Sequence, residues 1–438
     1  MMPPLKVAIA GLGTVGAGAL KILHQNAPEI AARCGRPIVV SAVASRDKNK
    51  DRGVPLSNVT WFDDAAAMAA ESDADVVVEL IGGSEGVARK TVEAAIAGGR
   101  HVVTANKALL AHHGVALAAA AEKAGLALNF EAAVAGGIPI IKALREGLAA
   151  NKIRRVTGIL NGTCNYILTT MRASGRSFAD VLKEAQALGY AEADPSFDID
   201  GTDAAHKLAI LASVAFGTPV DIKSVHVEGI RNVSSLDLQY AEEFGYVIKL
   251  LGVAELLDRD AKHQDGALMQ RVYPCLITPD MPLANVDGVF NAVVAEGDFV
   301  GRSVYEGRGA GAGPTASAVV ADLIDIAAGR RVPAFGIPVG SLKTIPNVPV
   351  AEHVGEYYVR LLVVDRPGVF ADIAMAFRDE AVSMESVLQR GRNAANVNVV
   401  IITHDTQEAP LLRALKRLQA NAALVEPPHM MRIEKFNR

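Results

Sequence analysis

Between Ala185 and Lys207 the chain reads A-Q-A-L-G-Y-A-E-A-D-P-S-F-D-I-D-G-T-D-A-A-H-K, which sets Glu192, four aspartates and a closing lysine around two turns. The Asp194-Pro195 step disfavours helix before it, and Gly201 frees the backbone again. From Thr202 onward apolar residues recur in nearly every turn, the pattern of a helix. Asp203 and Lys207 are four residues apart and so share one helix face near its start. Carboxylates and an amine held together in this way suit proton transfer and the capture of a zwitterionic small molecule. A plainer reading is open too: Asp200 or Thr202 as an ordinary N-cap, and Asp203–Lys207 as an exposed ion pair in the favoured order.

A second set of residues suits a nucleotide. Lys6 to Ala10 is a short apolar run that leads into Gly11-Leu12-Gly13-Thr14-Val15-Gly16 and then a helical stretch. Strand, G-x-G-x-x-G and helix in that order form the dinucleotide fingerprint. Gly11 allows the tight turn, Gly13 lets backbone N–H groups approach a pyrophosphate, and Gly16 lets the helix pack closely on the strand. The helix start, at Thr14 and Val15, adds partial positive charge. After the next strand, Ile38 to Ala44, come Ser45-Arg46-Asp47. An acid there serves a ribose 2′-OH and an arginine a 2′-phosphate, so Arg46 favours NADP while Asp47 leaves NAD possible.

Four more stretches combine polar residues with turns. Thr104-Ala105-Asn106-Lys107 follows the strand His101 to Thr104, at the sheet edge where open α/β folds place ligands. A Gly-rich loop runs from Glu131 to Pro139. Asn161-Gly162-Thr163-Cys164-Asn165-Tyr166 follows a strand from Ile153 to Leu160. Cys164 raises the chemistry of an acylating thiolate, but no histidine lies near it in sequence, and a packed small hydrophobe is the reading preferred. Gly307 to Thr315 is a second Gly-rich loop opening a helix.

The elements that must position these groups imply an α/β chain of several domains. Its 438 residues, half of them hydrophobic, suffice for more than one core. A Rossmann-type dinucleotide-binding domain is expected over 1–132, its parallel strands reading as the continuous apolar runs Asp75 to Ile81, His101 to Thr104 and Leu126 to Phe130. An α+β catalytic and dimerisation domain with a mixed sheet is expected over 133–307, with strands at Val225 to Glu228, Ala267 to Ile277 and Asn291 to Glu296. Residues 308–330 are expected to return to the first domain, and 331–352, rich in Pro and Gly, to be a linker. Residues 353–438 read β-α-β-β-α-β with D-R-P-G-V at the first turn. A net charge of −4 gives no basis for nucleic-acid or anionic-membrane binding. No apolar run approaches a membrane span. Three scattered cysteines without a C-x-x-C pair suit a reducing cytoplasm rather than disulfides or zinc.

Ala185-x3-Gly189-Tyr190 followed by Asp194-Pro195-x2-Asp198-Ile199-x-Gly201-x-Asp203-x3-Lys207 resembles the signature segment of homoserine dehydrogenases. T-A-N-K-x-L and N-G-T-x-N-Y are similar to further stretches of that family, and the C-terminal pattern resembles a ferredoxin-like ACT domain. The resemblance spans the chain and implies reversible reduction of aspartate 4-semialdehyde to homoserine by a nicotinamide cofactor, in the cytoplasm, by a homodimer or homotetramer. It implies Lys207 as proton donor and acceptor with Lys107 beside it, a lysine acting as base near neutral pH only where burial or a neighbouring cation lowers its pKa. It implies Glu192 and Asp203 as holders of the substrate ammonium, and Asp198 either as an orienting group for Lys207 or as a turn cap. Cofactor contacts are expected at Gly11, Gly13, Thr14, Val15, Gly16 and Arg46, and through the resemblance at Thr104, Lys107, Gly189 and Gly311. A monovalent cation such as Na+ is implied on main-chain oxygens of Glu131, Val134, Gly136 and Ile138. Threonine is the implied effector, so that removing 350–438 should leave catalysis intact and abolish the response to threonine.

Overall fold

The first six strands are short and almost wholly apolar, as strands covered on both faces must be. In the computed structural model, which describes residues 2–54, 56–257, 266–390 and 395–436, they are β1 (Leu5–Ala10), β2 (Ile38–Ala44), β3 (Thr60–Phe62), β4 (Val76–Glu79), β5 (His101–Thr104) and β6 (Leu128–Asn129). They pair in parallel in the order β3-β2-β1-β4-β5-β6. The strand order reverses between β1 and β4, and that crevice is where such sheets bind dinucleotides. The run expected to continue to Ile81 leaves the sheet after Glu79, where Gly82 and Gly83 take positive φ.

The Ala312–Ala327 helix returns to this sheet. Its Ala316, Val319 and Leu323 share a core with Val7, Ile9 and Val78. At Gly18 of the Thr14–Gln25 helix, a Cβ would lie 2.6 Å from the Ala312 carbonyl oxygen, so the absent side chain is what allows the two helices to meet.

The second sheet is mixed. It holds β7 (Ile153–Ile159), β8 (Val225–Val227), β9 (Val247–Leu257), β10 (Ala267–Ile277), β11 (Phe290–Gly297) and β12 (Gly301–Arg308). Its main path runs β12-β11-β7-β9-β10, all antiparallel, with β8 parallel beside β10. The sheet then continues into the C-terminal module: β13 (Val354–Val364), the Val369–Asp379 helix, β14 (Met384–Arg390), β15 (Asn396–Thr403), the two-residue β16 (Thr406–Gln407), the Glu408–Gln419 helix and β17 (His429–Ile433). The module order β17-β13-β15-β14 is ferredoxin-like, and β17 joins β10 through Cys275↔Arg432 and Leu276↔Ile433.

Several features differ from the sequence reading. β3, β9 and β12 were not expected as strands. Val247–Leu257 is Leu-rich and nearly unbroken, and periodicity cannot separate a buried strand from a buried helix in such a run. Within it Lys249 is buried, its ammonium donating to the Val286 carbonyl at 2.5 Å and paired with Asp287 at 3.0 Å. Residues 331–352, expected as a linker, are irregular but anchored. Phe335 is buried against Phe130 at a ring separation of 5.6 Å, Val348 is buried, and Asn347 bridges to Leu268. Absence of periodicity marks an irregular backbone, not an unpacked one. No described helix is long and apolar enough to cross a membrane.

Candidate active site

The Thr202–Phe216 helix starts on Gly201, whose φ of +86° only glycine adopts freely and whose Cβ would press on Val227 at 3.0 Å. One turn in, Asp203 and Lys207 lie inside the protein at 4% and 9% exposure. Burial on this scale rules out the surface ion pair and demands partners for both charges. The Lys207 Nζ donates to Asp203 Oδ2 and to the Leu160 carbonyl oxygen, both at 2.7 Å. From the nucleotide-binding side, Lys107 opens the Lys107–Lys123 helix, which Asn106 caps through its Oδ1 and the Leu109 N–H at 3.0 Å. The Lys107 Nζ lies 3.0 Å from Asp203 Oδ1 and 5.7 Å from the Phe197 ring. Two amines from separate parts of the chain thus converge on one carboxylate.

Asn161 organises the acids. Its Nδ2 donates to Asp203 Oδ2 and to Asp198 Oδ1, each at 2.8 Å, while its Oδ1 accepts the Cys164 N–H at 2.8 Å and caps the Gly162–Ser174 helix. Thr163 Oγ1 lies 3.0 Å from Asp198 Oδ2 and 2.7 Å from the Tyr190 carbonyl oxygen. Burial by itself would raise the Asp203 carboxyl, but Lys207, Lys107 and the hydrogen bonds from Lys207 and Asn161 hold it well below the ordinary carboxylate range. With one oxygen on Lys207 and Asn161 and the other on Lys107, Asp203 holds the two amines together. Asp198 reaches Lys207 only through Asn161 and Asp203, so it does not orient the lysine directly.

These groups line a cleft of about 660 Å3 that opens between the two sheets. Val15, Ala310 and Gly311 border it together with Lys107, Asp203 and Lys207, and Gly189 and the exposed Glu192 line it too. At the glycine loop, a Cβ on Gly16 would stand 2.1 Å from the Gly11 carbonyl oxygen, whereas one on Gly13 would meet nothing within 4 Å. Gly16 is thus needed for closure and Gly13 faces open space, the cradle a pyrophosphate requires. Thr14 is exposed on the same turn. Arg46 is exposed at the end of β2, while the Asp47 carboxylate turns back to accept the N–H groups of Asn49 and Lys50. Lys48 and Arg52 stand over the Trp61 ring beside it.

Thr104 does not line the cleft. It is fully buried, donates to Glu79 Oε2 at 2.6 Å and accepts the Asn106 N–H at 3.0 Å, so it fixes the turn that presents Lys107. In the loop after Glu131, Ala135 and Gly136 both have positive φ, 56° and 50°, a rare pair that turns successive carbonyls. Ile138 O accepts the Ile140 N–H at 2.8 Å, and Gly136 lines the cleft. The Glu131 side chain instead accepts the N–H groups of Ile141 and Lys142. Cys164 is buried with its Sγ on the Asp198 carbonyl, and burial raises its thiol well above the ordinary range, which suits packing rather than nucleophilic attack.

Sequence reasoning gave no role to Asn161, Thr163, Phe197 or His206, which packs edge-on against His112 and Phe197. The signal for Asn161 was present: an Asn-Gly step before a helix reads as an N-cap, and a capping asparagine keeps its amide NH2 for other acceptors.

Residues 11–131 match the family model "Homoserine dehydrogenase, NAD binding domain", 139–324 the model "Homoserine dehydrogenase" and 357–423 the model "ACT domain". The chain is 46% identical to the homoserine dehydrogenase of Neisseria gonorrhoeae over 443 residues and 45% identical to that of Pseudomonas aeruginosa over 446, in both cases across the full length of each chain. Among solved structures, a homoserine dehydrogenase from Thiobacillus denitrificans superposes with a TM-score of 0.92 at 45% identity, covering 99% of this chain and 98% of that one. A hyperthermophilic archaeal homoserine dehydrogenase in complex with NADPH superposes with a TM-score of 0.62 at 27% identity, covering 74% of this chain and 97% of that one.

Proposed function

The chain belongs to the homoserine dehydrogenase family, and from that premise we propose that its cleft interconverts L-aspartate 4-semialdehyde and L-homoserine, with NADP as the preferred cofactor and threonine as a feedback effector acting through the ACT domain. It is an oxidoreductase acting on a CH–OH group. The observation that carries the mechanism is the shared grip of Lys107 and Lys207 on Asp203 inside the cleft.

When bound at the glycine loop, the nicotinamide supplies the redox chemistry, as cofactors do. The protein's own residues manage one proton and the substrate's position. Lys207, as ammonium, gives a proton to the oxygen of the carbonyl being reduced and takes it back in the oxidative direction. Asp203 and the Leu160 carbonyl fix its nitrogen, so little reorganisation accompanies the transfer. Lys107 adds positive charge beside the same oxygen. The substrate's α-ammonium faces Glu192 at the rim, with Asp198 held half-buried behind it by Asn161 and Thr163.

The exposed Arg46, with Lys48 and Arg52 nearby, suits a 2′-phosphate, and the archaeal relative was solved with NADPH. A Na+ ion on the carbonyls of Glu131, Val134, Gly136 and Ile138 would use the unusual turn at Ala135 and Gly136, and oxygen-only ligands suit a hard cation. A homodimer or homotetramer fits the edge at β12, which no described strand pairs on its outer side and whose Val304 is exposed, with Phe299 90% exposed in the turn before it. Exchanging NADP for NAD in an assay of homoserine oxidation tests the cofactor assignment. Arg46→Asp should lower kcat/KM for NADP at least about tenfold and leave NAD nearly untouched, since a lost charge-assisted phosphate contact is typically worth that much. Equal losses with both cofactors would remove Arg46 from the assignment.

A further inference from the structure

Side chains of β11 alternate between two cores. Ala292 and Val294 pack with Leu251 and Tyr273, whereas Val293 and Ala295 join Leu160, Cys164 and Leu208, on the side of the catalytic helix. Asn291 continues that second face at the start of the strand and lines the catalytic cleft. It is 1% exposed, yet neither its amide oxygen nor its amide nitrogen has a hydrogen-bond partner among the described residues. Buried polar groups are nearly always paired, and an unmet one costs free energy. Asn291 therefore calls for a ligand group that both donates and accepts.

Two glycines shape its niche. A Cβ on Gly309 would stand 2.2, 2.3 and 2.4 Å from the Asn291 Cγ, Oδ1 and Nδ2 atoms. Three nearly equal distances put Gly309 over the face of the amide, so the edge that carries the donors and the acceptor stays free. A Cβ on Gly162 would stand 3.4 Å from Oδ1. Both glycines line the cleft, and they come from the two halves of the site. Gly162 follows Asn161, which holds Asp203. Gly309 is two residues before Gly311, the start of the helix that meets the glycine-loop helix at Gly18.

The nicotinamide end of a dinucleotide belongs to both halves, with its pyrophosphate at the glycine loop and its ring beside the reacting carbon. Its carboxamide carries an acceptor oxygen and a donor NH2 on one planar group, the complement of an asparagine amide. The substrate's carboxylate only accepts and its ammonium only donates, so neither alone satisfies both atoms. We propose that Asn291 pairs with the nicotinamide carboxamide, Nδ2 donating to its oxygen and Oδ1 accepting from its NH2, and thereby fixes the orientation of the ring in the cleft. This assignment rests on the cleft being a nicotinamide site.

Titration calorimetry on the full-length protein tests the pairing with two probes, NADPH and its reduced 3-acetylpyridine analogue, in which a methyl ketone replaces the carboxamide and the NH2 is gone. Wild type should bind the analogue at least about fivefold more weakly than NADPH, the usual worth of a lost hydrogen bond. Asn291→Leu, close in shape and without hydrogen-bonding atoms, should bind NADPH at least about fivefold more weakly than wild type does and should no longer distinguish the probes. Its melting temperature without ligand should not fall, because the amide it removes has no partner in the free protein. If leucine does not fit between the glycines, Asn291→Ala, which only removes atoms, gives the same comparison. Equal binding of the two probes by wild type overturns the assignment, as does a wild-type preference retained by a folded variant. A variant that binds NADPH as wild type does but L-homoserine more weakly would move Asn291 to the substrate and overturn it equally. No binding of NADPH by wild type would overturn the nicotinamide reading of the cleft itself, which equal binding of both probes leaves standing.

Discussion

Asn161 has one amide and serves three partners: a helix start, Asp198 and Asp203. Replacing it with alanine leaves two buried or half-buried carboxylates short of a donor and removes a cap, which together should destabilise the fold by about 2–4 kcal/mol. Turnover should fall at least about tenfold while the KM for NADPH holds, because the change acts on Asp203 and not on the glycine loop. Urea unfolding and steady-state kinetics on one preparation check both halves. A raised cofactor KM with unchanged kcat would place Asn161 outside the proton-handling cluster. At this scale the sequence was informative about identity and less so about role. Spacing brought out Asp203 and Lys207, and a place at a strand end with the family resemblance brought out Lys107, but which carboxylate faces the substrate depends on where each side chain is buried. Asp203, expected at the ammonium, lies buried between the two amines, a pairing its spacing from Lys207 showed only in part. Thr104 was expected on the cofactor and is found behind the turn.

Elements place those side chains, and glycines permit the placements. At Gly201 an alanine would adopt a left-handed conformation worth about 1–2 kcal/mol against it and would also crowd Val227 and Val272. The Gly201→Ala variant should therefore melt earlier and lose kcat through displacement of Asp203 and Lys207, with dinucleotide affinity unchanged in a fluorescence titration. Weakened dinucleotide binding with normal kcat would contradict this division of labour. The other strands of the parallel sheet and the Thr202 helix were legible because short apolar runs bounded by turns mark the strands and a longer periodic run the helix, whereas β3, three partly exposed residues, was not. β9 was not, because an eleven-residue apolar run containing a lysine suits no single period, and the pairing with β7 and β10 that settles it lies far away in sequence. The packing of segment 331–352 was not legible for a related reason: Phe335 and Val348 anchor it, and isolated anchors in a Pro/Gly-rich stretch carry no rhythm.

Across the whole molecule, the ACT module is structurally continuous with the catalytic sheet. Glu434 is bonded to Arg155 and Arg271, and Tyr358, Met431 and Ile433 belong to the same core as Leu208 and Val293. Deletion of 350–438 would strand two buried guanidinium groups, and breaking a buried ion pair costs about 3–5 kcal/mol. The truncated protein should thus lose thermal stability and activity together, contrary to the clean separation that the sequence suggested; full activity with an unchanged melting temperature would contradict it. The junction also has a pH signature. Burial, with Arg271 and Arg432 nearby and only partial relief from Glu434 and Glu255, lowers the His353 pKa to about 4, and its Nδ1 lies 2.9 Å from Tyr357 Oη. Since the unfolded imidazole titrates near 6.5, the unfolded chain binds more protons between those values. This contribution, at most about 3 kcal/mol, is fully present above pH 6.5 and is lost as the pH falls toward 4. His353→Gln should flatten the fall in melting temperature over that range, and an unchanged slope would exclude His353 as its source.

The most direct measurement follows NADPH absorbance during reduction of L-aspartate 4-semialdehyde by the full-length enzyme and by Lys207→Met. The wild type should turn over, and the variant should lose at least about a hundredfold in kcat, the usual worth of a positioned general acid, with its KM for NADPH kept. A variant that retains more than about a tenth of wild-type kcat would show that the proton comes from elsewhere and that the convergence on Asp203 is structural only.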